Sequence, residues 1–176
     1  MTRNRLLTTW LLSILVFAIS AGQSWASFEV SMEAGGGVLK VTGYSVFPVL
    51  GTLVGLQLLA VLLSLLTKPV VTRYVSAAIA ALMTWNLFFV STTSSAQISL
   101  TAQRELADKT GLLQDLGSSD FLVSSAVSLW SGIFLVALVL NILALGMVAL
   151  LLQVRSVAPV AKRDRDLPED LWGDQK

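Results

Sequence analysis

The sequence predicts an all-α membrane protein: a four-helix transmembrane bundle carrying a small extracytoplasmic β-hairpin and a short amphipathic helix. Three observations lead there. Of the 176 residues, 55% are apolar and only 13% charged, with a mean hydropathy of +0.76, whereas a soluble domain carries about 25% charge. Four apolar stretches are free of Lys, Arg, Asp and Glu. The remaining Lys and Arg residues divide unevenly between the two sides those stretches define.

The first span is residues 6–22, "LLTTWLLSILVFAISAG", preceded by Arg3 and Arg5. About 20 apolar residues cross a ~30 Å hydrocarbon core. This run is also close to a secretory signal peptide, because Ser24 and Ala26 are small residues at the positions a signal peptidase reads. Cleavage after Ala26 would leave three spans; retention gives four. The residues leave both readings open.

Outer loop 23–44 contains "SFEVSMEAGGGVLKV". Phe28, Val30 and Met32 alternate with polar residues, and glycines 35–37 mark a turn, so this is a β-hairpin with one apolar face. The second span, residues 45–67, has Pro48 in its first turns, where the missing N–H costs little. The inner connection "KPVVTR" is short, which makes the second and third spans an antiparallel hairpin. The third span is residues 74–92. Outer loop 93–120 follows, with Ile98, Ala102, Leu106, Leu113 and Leu116 at near-helical spacing. It reads as one or two short amphipathic helices broken near Gly111. The fourth apolar run, 121–154, is too long for one crossing at about 1.5 Å per residue. Its embedded part is placed at 129–154, with the preceding residues extending the helix or lying at the surface and Asp120 as N-cap. The tail, 155–176, starts basic, turns acidic and is expected to be disordered.

Arg3, Arg5, Lys68, Arg73, Arg155, Lys162, Arg163, Arg165 and Lys176 fall on one side, and Lys40, Arg104 and Lys109 on the other. This asymmetry puts both termini in the cytoplasm of a multi-pass protein of the cell membrane.

Trp25 at the exit of span one, a β-like outer segment, "TGYSVFPVL" at 42–50, the basic hinge at 68–73 and an acidic tail with Trp172 together resemble the actinobacterial tryptophan-associated transmembrane protein family. "GQSW" stands here in place of the Arg-Pro-Trp often seen there, and the tail is brief. The resemblance implies a retained first helix and four spans, and it brings no assigned activity.

Candidate functional residues are few. Cys and His are absent, which removes disulfides, thiolate nucleophiles, Cys/His metal sites and His bases. No cofactor is expected. A net charge of +1 gives no basic field for nucleic acid. Gly51 and Gly55 form a small-xxx-small pattern, read as helix packing within the bundle or as a homodimer seam. Gln57, Asn86 and Asn141 are the strongest polar groups in the spans. They read as interhelical hydrogen-bonding groups, with a substrate path as the alternative. Trp25, Trp85 and Trp130 read as an aromatic belt. Phe28, Val30 and Met32 are expected to pack with Ile98, Leu106 and Leu113 as the core of an outer cap. The partners expected are the lipid bilayer and a protein partner or second copy. The function expected is that of a non-enzymatic accessory or interaction protein acting through its cap or tail. The alternative is a small oligomeric transporter or facilitator.

Overall fold

The computed structural model describes residues 3–32, 35–110 and 121–152. Among them, four helices are long and apolar enough to cross a membrane: α1 (Arg3–Gly22), α3 (Val49–Leu66), α4 (Pro69–Thr110) and α5 (Leu129–Leu151). In α1, Leu6, Leu7, Trp10, Ile14, Phe17 and Ala21 are buried at helical spacing. The opposite face is also apolar, with Leu12, Leu15 and Ile19 exposed. A helix apolar all round suits lipid on one side and protein on the other. α1 packs most extensively on α5 and α5 on α4, while α3 makes lighter contacts to α1 and α4. The order around the bundle is therefore α1–α5–α4–α3.

The two ends of the bundle differ. At one end, the Arg3 guanidinium donates to the carbonyl oxygen of Ser64 and, at 3.2 Å, to that of Thr67. It satisfies carbonyls that the end of α3 leaves open. At the other end lies a three-stranded sheet of order β2–β1–β3. Its central strand β1 (Ser24–Val30) pairs antiparallel with β2 (Gly37–Thr42) and with β3 (Leu122–Val127). The expected hairpin is present, and Gly35, Gly36 and Gly37 turn it with φ of 97°, 64° and 107°, a region costly for other residues. A short helix α2 (Gly43–Val46) links it to α3 through a capping box between Thr42 and Ser45.

Two expectations are corrected here. Residues 122–127 do not lengthen the fourth helix; they form β3, whose backbone meets hydrogen-bonding groups that β1 would otherwise leave open on that side. The N-cap of α5 is accordingly Ser128, whose side chain accepts from the Trp130 N–H, and not Asp120. The segment 93–110 is likewise no separate amphipathic helix. α4 runs unbroken for 42 residues, so the apolar run 74–92 and the stretch after it are one rod. Ile98, Thr101, Ala102 and Leu106 keep its buried stripe going, and its far part packs against β2. Gly111, Leu113, Asp120 and the tail lie outside the described residues.

One hydrophobic core runs from the bundle into the sheet, joining Leu6 and Val148 at one end to Phe28, Leu39 and Leu106 at the other. The cap is thus an extension of the bundle rather than a second core.

Candidate functional site

Three places merit a functional reading: a polar layer in mid-bundle, the junction beneath the sheet, and the sheet's own edge.

In the polar layer, Trp10 Nε1 donates to Gln57 Oε1 at 3.2 Å, and Gln57 Nε2 lies 3.5 Å from Met83 Sδ, a weak acceptor. Ser13 Oγ donates to the Trp10 carbonyl at 2.7 Å and accepts from Asn141 Nδ2 at 3.0 Å. The chain Asn141–Ser13–Trp10–Gln57–Met83 therefore touches α5, α1, α3 and α4. At about 1.5 Å per residue, Ser13, Gln57 and Asn141 all lie roughly 15 Å from the Arg3 end of the bundle, near its middle. Gln57 and Asn141 are fully buried. Each is bonded to a residue of a neighbouring helix. The layer contains no ionisable group, and its donors and acceptors largely close on one another.

Asn86 behaves differently. It is buried, yet its Oδ1 has no hydrogen-bond partner. It lines a cavity of about 250 Å³ between α3 and α4. Asn141 Oδ1 is also unpartnered, but its amide nitrogen is engaged. Packing within the bundle at Gly51 and Gly55 is not what the structure has. Both glycines are exposed, and a Cβ at either would meet nothing within 4 Å. They sit on the side of α3 away from Leu50, Leu53 and Gln57, and among the described residues no side chain or backbone comes within 4 Å of a Cβ there.

At the junction, Trp25 is 1% exposed, which removes it from the expected belt; Trp85, 70% exposed, and Trp130 remain on the outside. The Trp25 ring packs 4.6 Å from Phe134 and 6.2 Å from Phe47, and its Nε1 donates to the Ser20 carbonyl. Phe17 and Phe89 extend the cluster. Tyr44 donates its hydroxyl to the Ala18 carbonyl at 3.0 Å, and burial pushes its phenol pKa up, so it stays a donor. The sequence marks Trp25 as a belt residue at the exit of the first apolar run and gives Tyr44 no role of its own; the burial of one and the hydrogen bond of the other come only with the fold.

In the cap, Phe28, Ile98 and Leu106 are buried in the common core and Val30 packs partly against it. Met32 does not: β1 stops at Val30, and Met32, in the turn, is 92% exposed. Its place is taken by Leu39 and Val41 of β2. The sheet edge is the feature sequence reasoning missed. β3 is exposed along nearly its whole length, with Val123 and Val127 uncovered. Ser128 N–H donates to the Trp25 carbonyl. Alternation along an antiparallel strand therefore turns the N–H groups of Ser125 and Val127 away from β1, to the free side. β3 carries no charge and no proline, the usual guards of an open edge.

Among the described residues, no group of three His, Cys, Asp or Glu side chains is placed to hold a metal ion. No protein-family model, characterised protein or solved structure matches this chain.

Proposed function

We propose that this is a non-catalytic, multi-pass protein of the cell membrane, with both termini cytoplasmic, that docks a partner protein through its extracytoplasmic sheet. The observation that carries the reading is the outer edge of β3, which pairs with no further strand among the described residues: the strand is exposed nearly throughout, uncharged, and paired to β1 over the bundle. An extended segment of a partner would add as a fourth strand, satisfying the outward backbone groups and covering Val123 and Val127. Neutral spans support the same reading, since ion-coupled carriers place ionisable groups within the membrane. The likeness of Trp25 and residues 42–50 to the tryptophan-associated membrane proteins belongs to this proposal as a suggestion of kinship, with no activity attached.

The rival reading, a small oligomeric transporter or facilitator, draws on the unpartnered carboxamide oxygens of Asn86 and Asn141. It is the weaker, because the mid-bundle layer closes on itself through Gln57 and Ser13.

A photo-crosslinking amino acid at Val127 in living cells tests the docking reading. A discrete crosslinked protein is expected, and Ser125→Pro should abolish it while leaving the chain inserted, because that N–H does not serve β1. Crosslinks to lipid alone, or a protein adduct unaffected by Ser125→Pro, would overturn it.

A further inference from the structure

The cavity between α3 and α4 is lined by Val49, Leu53, Leu82, Trp85, Asn86 and Phe89. It exists because α3 and α4 are the most lightly packed of the neighbouring helix pairs. Five of its six walls are apolar, and the sixth is a carboxamide. Asn86 is 7% exposed, and its Oδ1 is buried with no hydrogen-bond partner. A carboxamide oxygen only accepts, so what it lacks is a donor. A buried acceptor left unmet carries a desolvation penalty that a leucine here would avoid. The oxygen has almost no open surface of its own, and a turn about χ2, a broad torsion in asparagine, brings it to face the cavity.

The walls decide which donor can serve. A buried water needs roughly two to four polar partners, and this cavity offers one polar wall. An ammonium would bring a charge among apolar side chains, at a cost that one hydrogen bond does not return. An uncharged hydroxyl on an apolar chain fits both: the O–H donates to Asn86 Oδ1, and the chain covers the apolar walls. The volume, about 250 Å³, lies below the range of roughly 300–1,000 Å³ typical of whole drug-sized ligands, and suits a single flexible chain. Asn86 stands roughly 25 Å along α4 from Pro69, at about 1.5 Å per residue, close to the far boundary of a ~30 Å core. Val49, the first residue of α3, lines the same cavity. A hydroxyl head at that depth lies near water while its chain stays in the core.

We propose that the cavity binds a neutral single-chain lipid alcohol. The chain lies between α3 and α4, and the hydroxyl, beside the exposed Trp85, donates to Asn86 Oδ1. The inference rests on membrane insertion, as proposed above, and not on the docking edge.

The test uses the full chain in detergent, native mass spectrometry, and two probes: 1-hexadecanol and hexadecyl methyl ether. The two share a chain, and the ether oxygen accepts but cannot donate. The native chain should retain one alcohol and prefer it to the ether about five-fold, the worth of one neutral hydrogen bond. Asn86→Leu, which removes an unpartnered polar group, should lose that preference. Leu82→Trp, at a half-exposed wall, should fill the cavity and lose both probes with Asn86 intact. Equal retention of alcohol and ether by the native chain, preference surviving Asn86→Leu, binding unchanged by Leu82→Trp, or no retained alcohol would overturn the site. Each of these could occur in a protein that inserts normally and crosslinks at Val127, so failure here is separable from failure of the docking reading.

Discussion

The indole of Trp25 occupies the space a side chain on Gly43 would need. A Cβ on Gly43 would stand 2.5 Å from ring atoms Cε2 and Cζ2 and 2.6 Å from the Ala21 carbonyl oxygen. Gly43 is not at positive φ, so space and not backbone freedom requires glycine here. The contact fixes the start of β1 against the turn into α3 and so seats the sheet on the bundle. Gly43→Ala should lower stability by about 1–3 kcal/mol, the usual cost of overpacking, read as a fall in the melting temperature of the detergent-solubilised protein. Unchanged melting would mean that the junction is looser than its geometry.

The mid-bundle layer predicts a coupling. Gln57→Leu leaves the Trp10 N–H buried without an acceptor, and Trp10→Phe leaves the Gln57 oxygen without its donor. Each alone should destabilise, and the double variant should recover part of the loss. A coupling of about 1 kcal/mol is expected in a double-mutant cycle, the scale of interhelical hydrogen bonds in membranes. Additive losses would deny the bond.

For Gly55 the expectation reverses what a packing seam would require. With nothing within 4 Å of a Cβ there, Gly55→Ala should leave stability unchanged or raise it by up to about 1 kcal/mol through helix propensity. A clear loss of stability would reveal a helix against that face, contributed by a second copy.

Burial predicts that the first helix is retained. Trp10, Ile14 and Phe17 belong to the common core, and Ala26, at the candidate cleavage point, is 1% exposed in the central strand. Intact mass of the purified protein should show α1 present. A chain beginning at Ser27 would break the account of the bundle.

The four long apolar helices were legible because apolar runs without charge leave a helix as the economical way to satisfy backbone groups away from water. The hairpin was legible because Phe28 and Val30 alternate with polar residues ahead of three glycines. β3 was not. "LVSSAV" is continuous with the apolar run of α5, and a short apolar segment does not by itself distinguish strand from helix. What decides is the open side of β1, which lies about 100 residues away. The unbroken α4 was hidden by "STTSS" at 91–95, which reads as a loop. The stripe of Ile98, Ala102 and Leu106 against the cap overrides that local preference. Of the candidate residues, Gln57 and Asn141 were readable from polarity alone. Burial of Trp25 was not, since it depends on Gly43, 18 positions further on.

The central claim is that the sheet edge, not a path through the bundle, is where this protein meets its partner. Hydrogen–deuterium exchange of the segment Leu122–Val127 tests it most directly, measured in native membranes and again after purification. In the purified chain the amides turned towards β1 should be protected, and those of Ser125 and Val127 should exchange fast. In native membranes a docked partner strand should protect both sets. Fast exchange of Ser125 and Val127 in native membranes, equal to that in the purified chain, would contradict the account.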